Sequence, residues 1–283
     1  MIESSYLLGP GSVSWRLMKE RVILLGAGRM LMMQMSDPAV AAGVELHSNY
    51  ITDPWSRVRR TTDFYLRLVH SRSGDIVQLR SWLQKAHRGI SGSSEQGVEY
   101  DASADKLMLW VHATVADSVL WSYQQVFGDL SQSERSRYFQ EQRILALALG
   151  ISADIVPLSL EEWESYIRRQ NVAAVVGEGA KQVWQLMGEM PVQSPRRIPA
   201  SLWRVLRRPV ATATISATAF GMPDLIAFQL GIIPPRRGLM RRRMRLLGLL
   251  VRLAPPELRY SARASKAQAD ALSGLGIWQP ISF

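Results

Sequence analysis

Apolar positions along most of this chain recur at helical rather than strand spacing. Counting from Arg57 at about 100° per residue, Arg60, Thr61, Phe64 and Leu68 share one stripe, with Arg59 and Asp63 opposite. The stripe that carries Phe64 and Leu68 should face a core. This predicts that Arg57, Arg60 and Thr61 point inward and that Arg59 is an ordinary surface residue. A second helix is predicted from about Asp75 to Arg88, with Ile76, Leu79, Leu83 and His87 on one face. Gly89 and Gly92 then end it. His87 thus stands at the inner end of a helix, beside a turn.

A glycine- and serine-rich loop around Gly92 to Gly97 follows, then a strongly apolar helix from about Ser103 to Phe127, closed by Gly128. Leu107, Trp110, Val111, Thr114, Ser118 and Trp121 form one of its faces; His112, Val115 and Val119 form another. Apolar residues on both sides predict a central, buried helix. Ser131 with Glu134 and Ser159 with Glu162 have capping-box spacing. They open helices that run to Gly150 and to about Gln170. A further helix is expected over Ala180–Met187, then a connector from Pro191 to Pro199. The remainder reads as helical, broken at Pro209, Pro223, Pro234-Pro235 and Pro255-Pro256. The simplest account is one all-α domain over residues 1–283, with a core at about 12–190 and a C-terminal helical extension at about 191–283.

A chain of 283 residues with 47% hydrophobic content can bury a sizeable core. It has no cysteine, which excludes disulfides, iron–sulfur clusters and thiolate ligation. A protein-held metal must then use His, Met, Tyr or carboxylates, and the four histidines are His47, His70, His87 and His112. The formal net charge is +10, with arginines concentrated at Arg236-Arg237 and Arg241 to Arg245. Zinc-finger, RNA-recognition and basic-zipper patterns are missing, which argues against a nucleic-acid reader. A solvated basic face, or a lid over an anionic group, is the preferred reading. Met1 to Ser5 shows no secretory signal, and the apolar runs Val22–Met35 and Val210–Pro234 do not read as membrane spans. The expectation is a cytoplasmic protein, with peripheral membrane contact left open.

Val22 to Leu31 contains Gly26 and Gly28, the first two glycines of a dinucleotide fingerprint. Leu31 replaces the third, and no βαβ alternation follows. Close packing at small residues explains the segment better. His47 and His70 read as partly exposed histidines without a zinc-site spacing. Buried arginines need an anionic or strong acceptor partner. A cofactor with carboxylates would supply one for Arg57 and Arg60, and so would Glu45, Asp101 or Asp117.

Several segments, in order, resemble the oxygenases grouped with the fungal enzyme MpaB and the bacterial latex-clearing rubber oxygenases. They are Leu8–Ser12 with Trp15, Asp37–Val44 with His47-Ser48, Asp53-Pro54, and Arg57-Val-Arg-Arg60-Thr61. His87 with Ile90 and Gly92, Tyr100–Ser103 and Leu109–Thr114 follow. Leu130-Ser131, Tyr138, Glu141, Leu149-Gly150 and Pro157 continue the match, which thins after about residue 170. The resemblance implies an all-α fold with a globin-like core holding haem b. It implies that His87 is the axial ligand to iron and that Arg57, Arg60 and Thr61 line the distal side, with His112 aligned near haem-proximal positions. Where the rubber oxygenases carry a distal lysine, this chain has Arg60, a permanent cation and a poor metal ligand. An open oxygen-binding position is therefore expected. The implied activity is haem-dependent use of O2 on an unsaturated or hydrophobic organic substrate, with oxidative C=C cleavage as the candidate reaction. A haem-binding sensor or carrier without turnover is the alternative, and a cofactor-free protein binding anionic lipid or nucleic acid through Arg241 and Arg245 is a third.

Overall fold

The computed structural model describes residues 6–48, 53–94, 96–191, 194 and 198–272. The opening segment 1–5 and most of the connector expected at 191–199 lie outside these residues. The first elements are α1 (Val13–Met18), a 3₁₀ turn (Arg21–Gly26), α2 (Ala27–Met35), α3 (Pro38–His47), α4 (Pro54–His70) and α5 (Asp75–His87). A short hairpin of β1 (Ser91–Ser93) and β2 (Glu99–Asp101) leads to α6 (Asp105–Phe127), α7 (Gln132–Leu149), α8 (Leu160–Val172) and α9 (Glu178–Glu189). The chain continues as α10 (Ala200–Gly221), α11 (Asp224–Gln229), α12 (Arg237–Leu253), α13 (Pro256–Arg259) and α14 (Ala262–Leu272). The fold is a single helical domain, and its only sheet among the described residues is that antiparallel hairpin.

The helix boundaries follow from local chemistry. Asp37 caps α3 by accepting from Ala39 and Val40 N–H, and Asp53 caps α4 by accepting from Ser56 N–H. Each is followed by proline at the first helical position, where no amide donor is needed. The Ser131–Glu134 box is reciprocal at the start of α7. At α8 Ser159 caps Glu162 N–H, while the Glu162 carboxylate reaches Leu158 N–H instead. Gly150 ends α7 in the left-handed region, with φ of 92°.

Helix α6 is central, as its two apolar faces predict. The 3₁₀ turn and α2 pack along one side of it, and α12 along another. Close approach depends on small residues. A Cβ on Gly26 would lie 2.3 Å from Ser122 Oγ, and one on Gly28 would lie 2.0 Å from Thr218 Oγ1. The glycines of the Val22–Leu31 segment thus let α6 and α10 come near, as expected for tight packing rather than a nucleotide loop. The buried Glu141 of α7 accepts from Val13 N–H at 2.9 Å and Ser14 N–H at 2.6 Å. A carboxylate there satisfies the free amides at the N-terminus of α1.

Two expectations need correction. Pro209 does not break its helix: α10 continues through it and packs against α9, α2 and the 3₁₀ turn. The Gly92–Gly97 loop contains part of a hairpin, because Tyr100 is buried and its partner Gly92 has no Cβ, which would stand 3.0 Å from the Tyr100 hydroxyl.

Candidate functional site

Helices α4 and α5 form an antiparallel pair joined by residues 71–74. Phe64 stacks on Trp82 with ring centroids 5.6 Å apart, which sets the register of the pair. Following that register outward, from Trp82 to His87 on α5 and from Phe64 to Arg59 on α4, brings His87 level with the turn carrying Arg57, Arg60 and Thr61. The hairpin of helices thus brings the predicted imidazole and the predicted polar turn to one end.

His87 is half-buried at the last position of α5. Its ring is hydrogen-bonded to the Ala102 backbone and lies near Asp101. Burial lowers its pKa, although Asp101 and the backbone bond act in the opposite direction, so the neutral imidazole is favoured. The chain leaving His87 is fixed. Ile90 N–H donates to the His87 carbonyl at 3.0 Å, and Ala102 N–H donates to the Ile90 carbonyl at 2.9 Å. The Tyr100 hydroxyl pairs with His47 Nε2 at 3.0 Å and ties this hairpin to α3. Such a backbone-held ring is the usual second-shell support of a metal-binding histidine.

The arginine turn differs from the prediction. Arg60, expected to face inward, is exposed, and it makes no ion pair among the described residues. Thr61 is half-buried, Arg59 is exposed as expected, and the side chain of Arg57 lies outside the described residues. Full burial along α4 begins at Phe64, although Trp55 in the first turn packs edge-on against Trp203 of α10. Of the partners proposed for a buried arginine, Asp101 lies near His87 and Asp117 is placed elsewhere. Asp117 pairs with Arg29 at 2.6 Å. Arg29 is the arginine with a satisfied buried fork: its other bonds go to Ser118 Oγ at 2.8 Å and the Gly221 carbonyl at 2.7 Å.

His112 is fully buried in α6, away from this end of the hairpin. Its Nε2 pairs with the Gln142 carbonyl at 3.0 Å, and its ring lies between Tyr65 and Trp163. Burial pushes its pKa down to about 4. Tyr65, against Phe64, links His112 to the α4–α5 pair through packed rings.

His70 was expected to be partly exposed and is buried. Its Nδ1 lies 2.8 Å from the Leu66 carbonyl one turn back, which fixes the tautomer with Nδ1–H donating. Nε2 is buried without a partner, and burial lowers the pKa to about 4. The ring stands in the wall between two cavities of about 550 Å³ each. One lies toward Trp15, Arg16 and Arg137, the other toward Trp82, Arg72 and Arg263. The sequence carried one signal for this: His70 follows Leu68 and Val69 at the end of the apolar stripe. Among the described residues no group of three or more histidines and carboxylates could hold a metal ion by itself.

The chain is 25% identical over 152 residues to two mycobacterial proteins, "Uncharacterized protein Mb2261" of Mycobacterium bovis and "Uncharacterized protein Rv2237" of Mycobacterium tuberculosis. That similarity covers 52% of this chain and 59% of each relative, so the chain spans under two thirds of their length. No solved structure matches it. The model of the family described as "ER-bound oxygenase mpaB/B'/Rubber oxygenase, catalytic domain" matches residues 15–253, which include every candidate residue above. The chain belongs to the MpaB and rubber oxygenase catalytic-domain family.

Proposed function

We propose that this oxygenase-family domain works with haem b, with His87 as the nitrogen ligand and the Arg57–Thr61 turn on the side where oxygen is handled. The observation that carries the reading is the pair of uncommitted groups at one end of the α4–α5 pair. One is a backbone-held imidazole that favours its neutral form, and the other is the Arg60 guanidinium, which has no carboxylate partner among the described residues. This donor set fits a haem, whose iron takes a neutral nitrogen and whose propionates take a cation. When bound, the haem supplies the iron chemistry that activates O2 against an unsaturated or hydrophobic organic substrate, with oxidative C=C cleavage as the proposed outcome.

The residues of the chain do the rest. His87 offers a lone pair because burial disfavours its protonation, and the Ala102 backbone holds the ring in one orientation. Arg60 presents a planar set of guanidinium donors. It can hold an anionic oxygen or a carboxylate, and it does not compete as a metal ligand. Thr61 adds a hydroxyl donor one residue on. His112, held by Gln142 in the packed interior, supports the α4 wall through Tyr65 and is not assigned a ligand role.

A second nitrogen is His70 Nε2: one ring nitrogen is bonded and the other is unpartnered at both His70 and His112, but of the two only His70 lines the two cavities. The test is an absorption spectrum of the purified protein after haemin addition, followed by oxygen uptake with an unsaturated terpenoid or fatty acid. A Soret band with substrate-dependent uptake is expected. A band without uptake identifies a carrier or sensor, and a colourless protein overturns the haem reading.

A further inference from the structure

Helix α12 has two apolar faces, and only one is used by the fold. Met240, Met244 and Gly248 are buried. A Cβ on Gly248 would lie 2.0 Å from the Val126 carbonyl oxygen, so this face is seated directly on α6. At about 100° per residue, Leu239, Leu246, Leu249, Leu250 and Leu253 fall within an arc of roughly 100° on the far side. All five are exposed, Leu253 by 84%. Arg242 lies inside that arc, Arg243 borders one edge, Arg245 flanks the other, and Arg241 stands further round toward the buried face. All four are exposed and make no ion pair among the described residues. Residues flanking the helix extend its apolar character: Ile233 before it is 91% exposed and Leu258 after it 68%.

An outward leucine stripe is costly in water, and monomeric surfaces rarely carry one without a use. The arginine borders narrow the choice of partner. Against a second copy of this chain, which shares the net charge of +10, the unpaired arginines would repel. Against nucleic acid, the leucines would find nothing to bury them. A bilayer with anionic headgroups satisfies both. The leucines enter the acyl boundary while arginines at the same level meet the phosphates. No helix among the described residues is long and apolar enough to cross a membrane, so the contact would lie in the interface plane.

We infer that α12 docks the protein on anionic lipid bilayers, through Leu239, Leu246, Leu249, Leu250 and Leu253 with the surrounding arginines. This surface does not depend on the haem reading. Its function is to hold the domain at a membrane surface, where hydrophobic substrates concentrate.

The full chain is co-sedimented with vesicles of phosphatidylcholine containing phosphatidylglycerol and with pure phosphatidylcholine vesicles. Binding to the anionic vesicles is expected to be at least tenfold tighter and to weaken with salt. L246Q/L249Q/L253Q should lose binding at least tenfold with unchanged circular dichroism and melting, since all three side chains point away from the core. R242Q/R243Q/R245Q should lose the preference for anionic lipid. Wild-type protein that stays in the supernatant overturns the inference. So does leucine-variant binding equal to wild type, or a wild-type dimer in light scattering that the leucine variant abolishes.

Discussion

From Phe64 to His70, helix α4 is surrounded by protein: α1 and α14 cover it, and Leu68 and Val69 are almost wholly buried. From Arg59 to Thr61 the same helix turns exposed and half-buried side chains outward, with Arg60 in no ion pair among the described residues. One amphipathic stripe therefore does two jobs. Its C-terminal half pays in burial for holding the helix in place, and its N-terminal half keeps polar groups available at the level of His87. A site built this way sits on a rigid element without being part of the element's own core.

The sharpest way to break this division is to truncate each half. Leu68→Ala removes a fully buried side chain and is expected to cost about 3–5 kcal/mol in urea denaturation, with no specific effect on cofactor affinity once folded. The arginines make a parallel contrast. Asp117→Ala leaves the buried Arg29 without its carboxylate and should cost about 3 kcal/mol. Arg60→Ala should change stability by about 0.5 kcal/mol or less, while weakening haemin binding or oxygen uptake. If Arg60→Ala destabilises as much as Asp117→Ala, the N-terminal half of α4 is structural after all.

Acid should also act on the packed region. His70 and His112 remain neutral in the fold down to about pH 4, whereas in the unfolded chain they protonate near 6.5. Stability is then flat above about pH 6.5 and falls as the pH drops toward 4. The loss is on the order of 1 kcal/mol per pH unit for each ring. His70→Phe should flatten the slope in denaturation series between pH 7 and pH 4.5 by roughly 1 kcal/mol per pH unit, leaving the share of His112 and the smaller one of His87. An unchanged slope removes His70 from the buried set.

The pattern of apolar residues was enough to predict the helices, their caps and the central place of α6, because these depend on local spacing and on side chains near in sequence. It misplaced Arg60 because periodicity tells which side a residue takes and not how far along the helix that side is covered. It misplaced His70 for the reverse reason. Its ring is covered by Trp15 of α1, 4.9 Å away between centroids, and α14, which arrives from the far end of the chain, closes the cavities around it. His87 was legible as the end of an apolar face, but its backbone support from Ala102 required the hairpin. Pro209 was read by its usual effect, and tertiary packing overrode it.

His87 and His70 stand at opposite ends of the α4–α5 pair, and they separate the account most directly. Haemin titration of His87→Ala and His70→Ala, followed by absorption in the oxidised and reduced states, is the decisive measurement. The account predicts that His87→Ala loses or strongly shifts the Soret band while His70→Ala keeps the wild-type spectrum. A wild-type spectrum in His87→Ala, with loss in His70→Ala, would contradict it and move the site to the cavities beside Trp15.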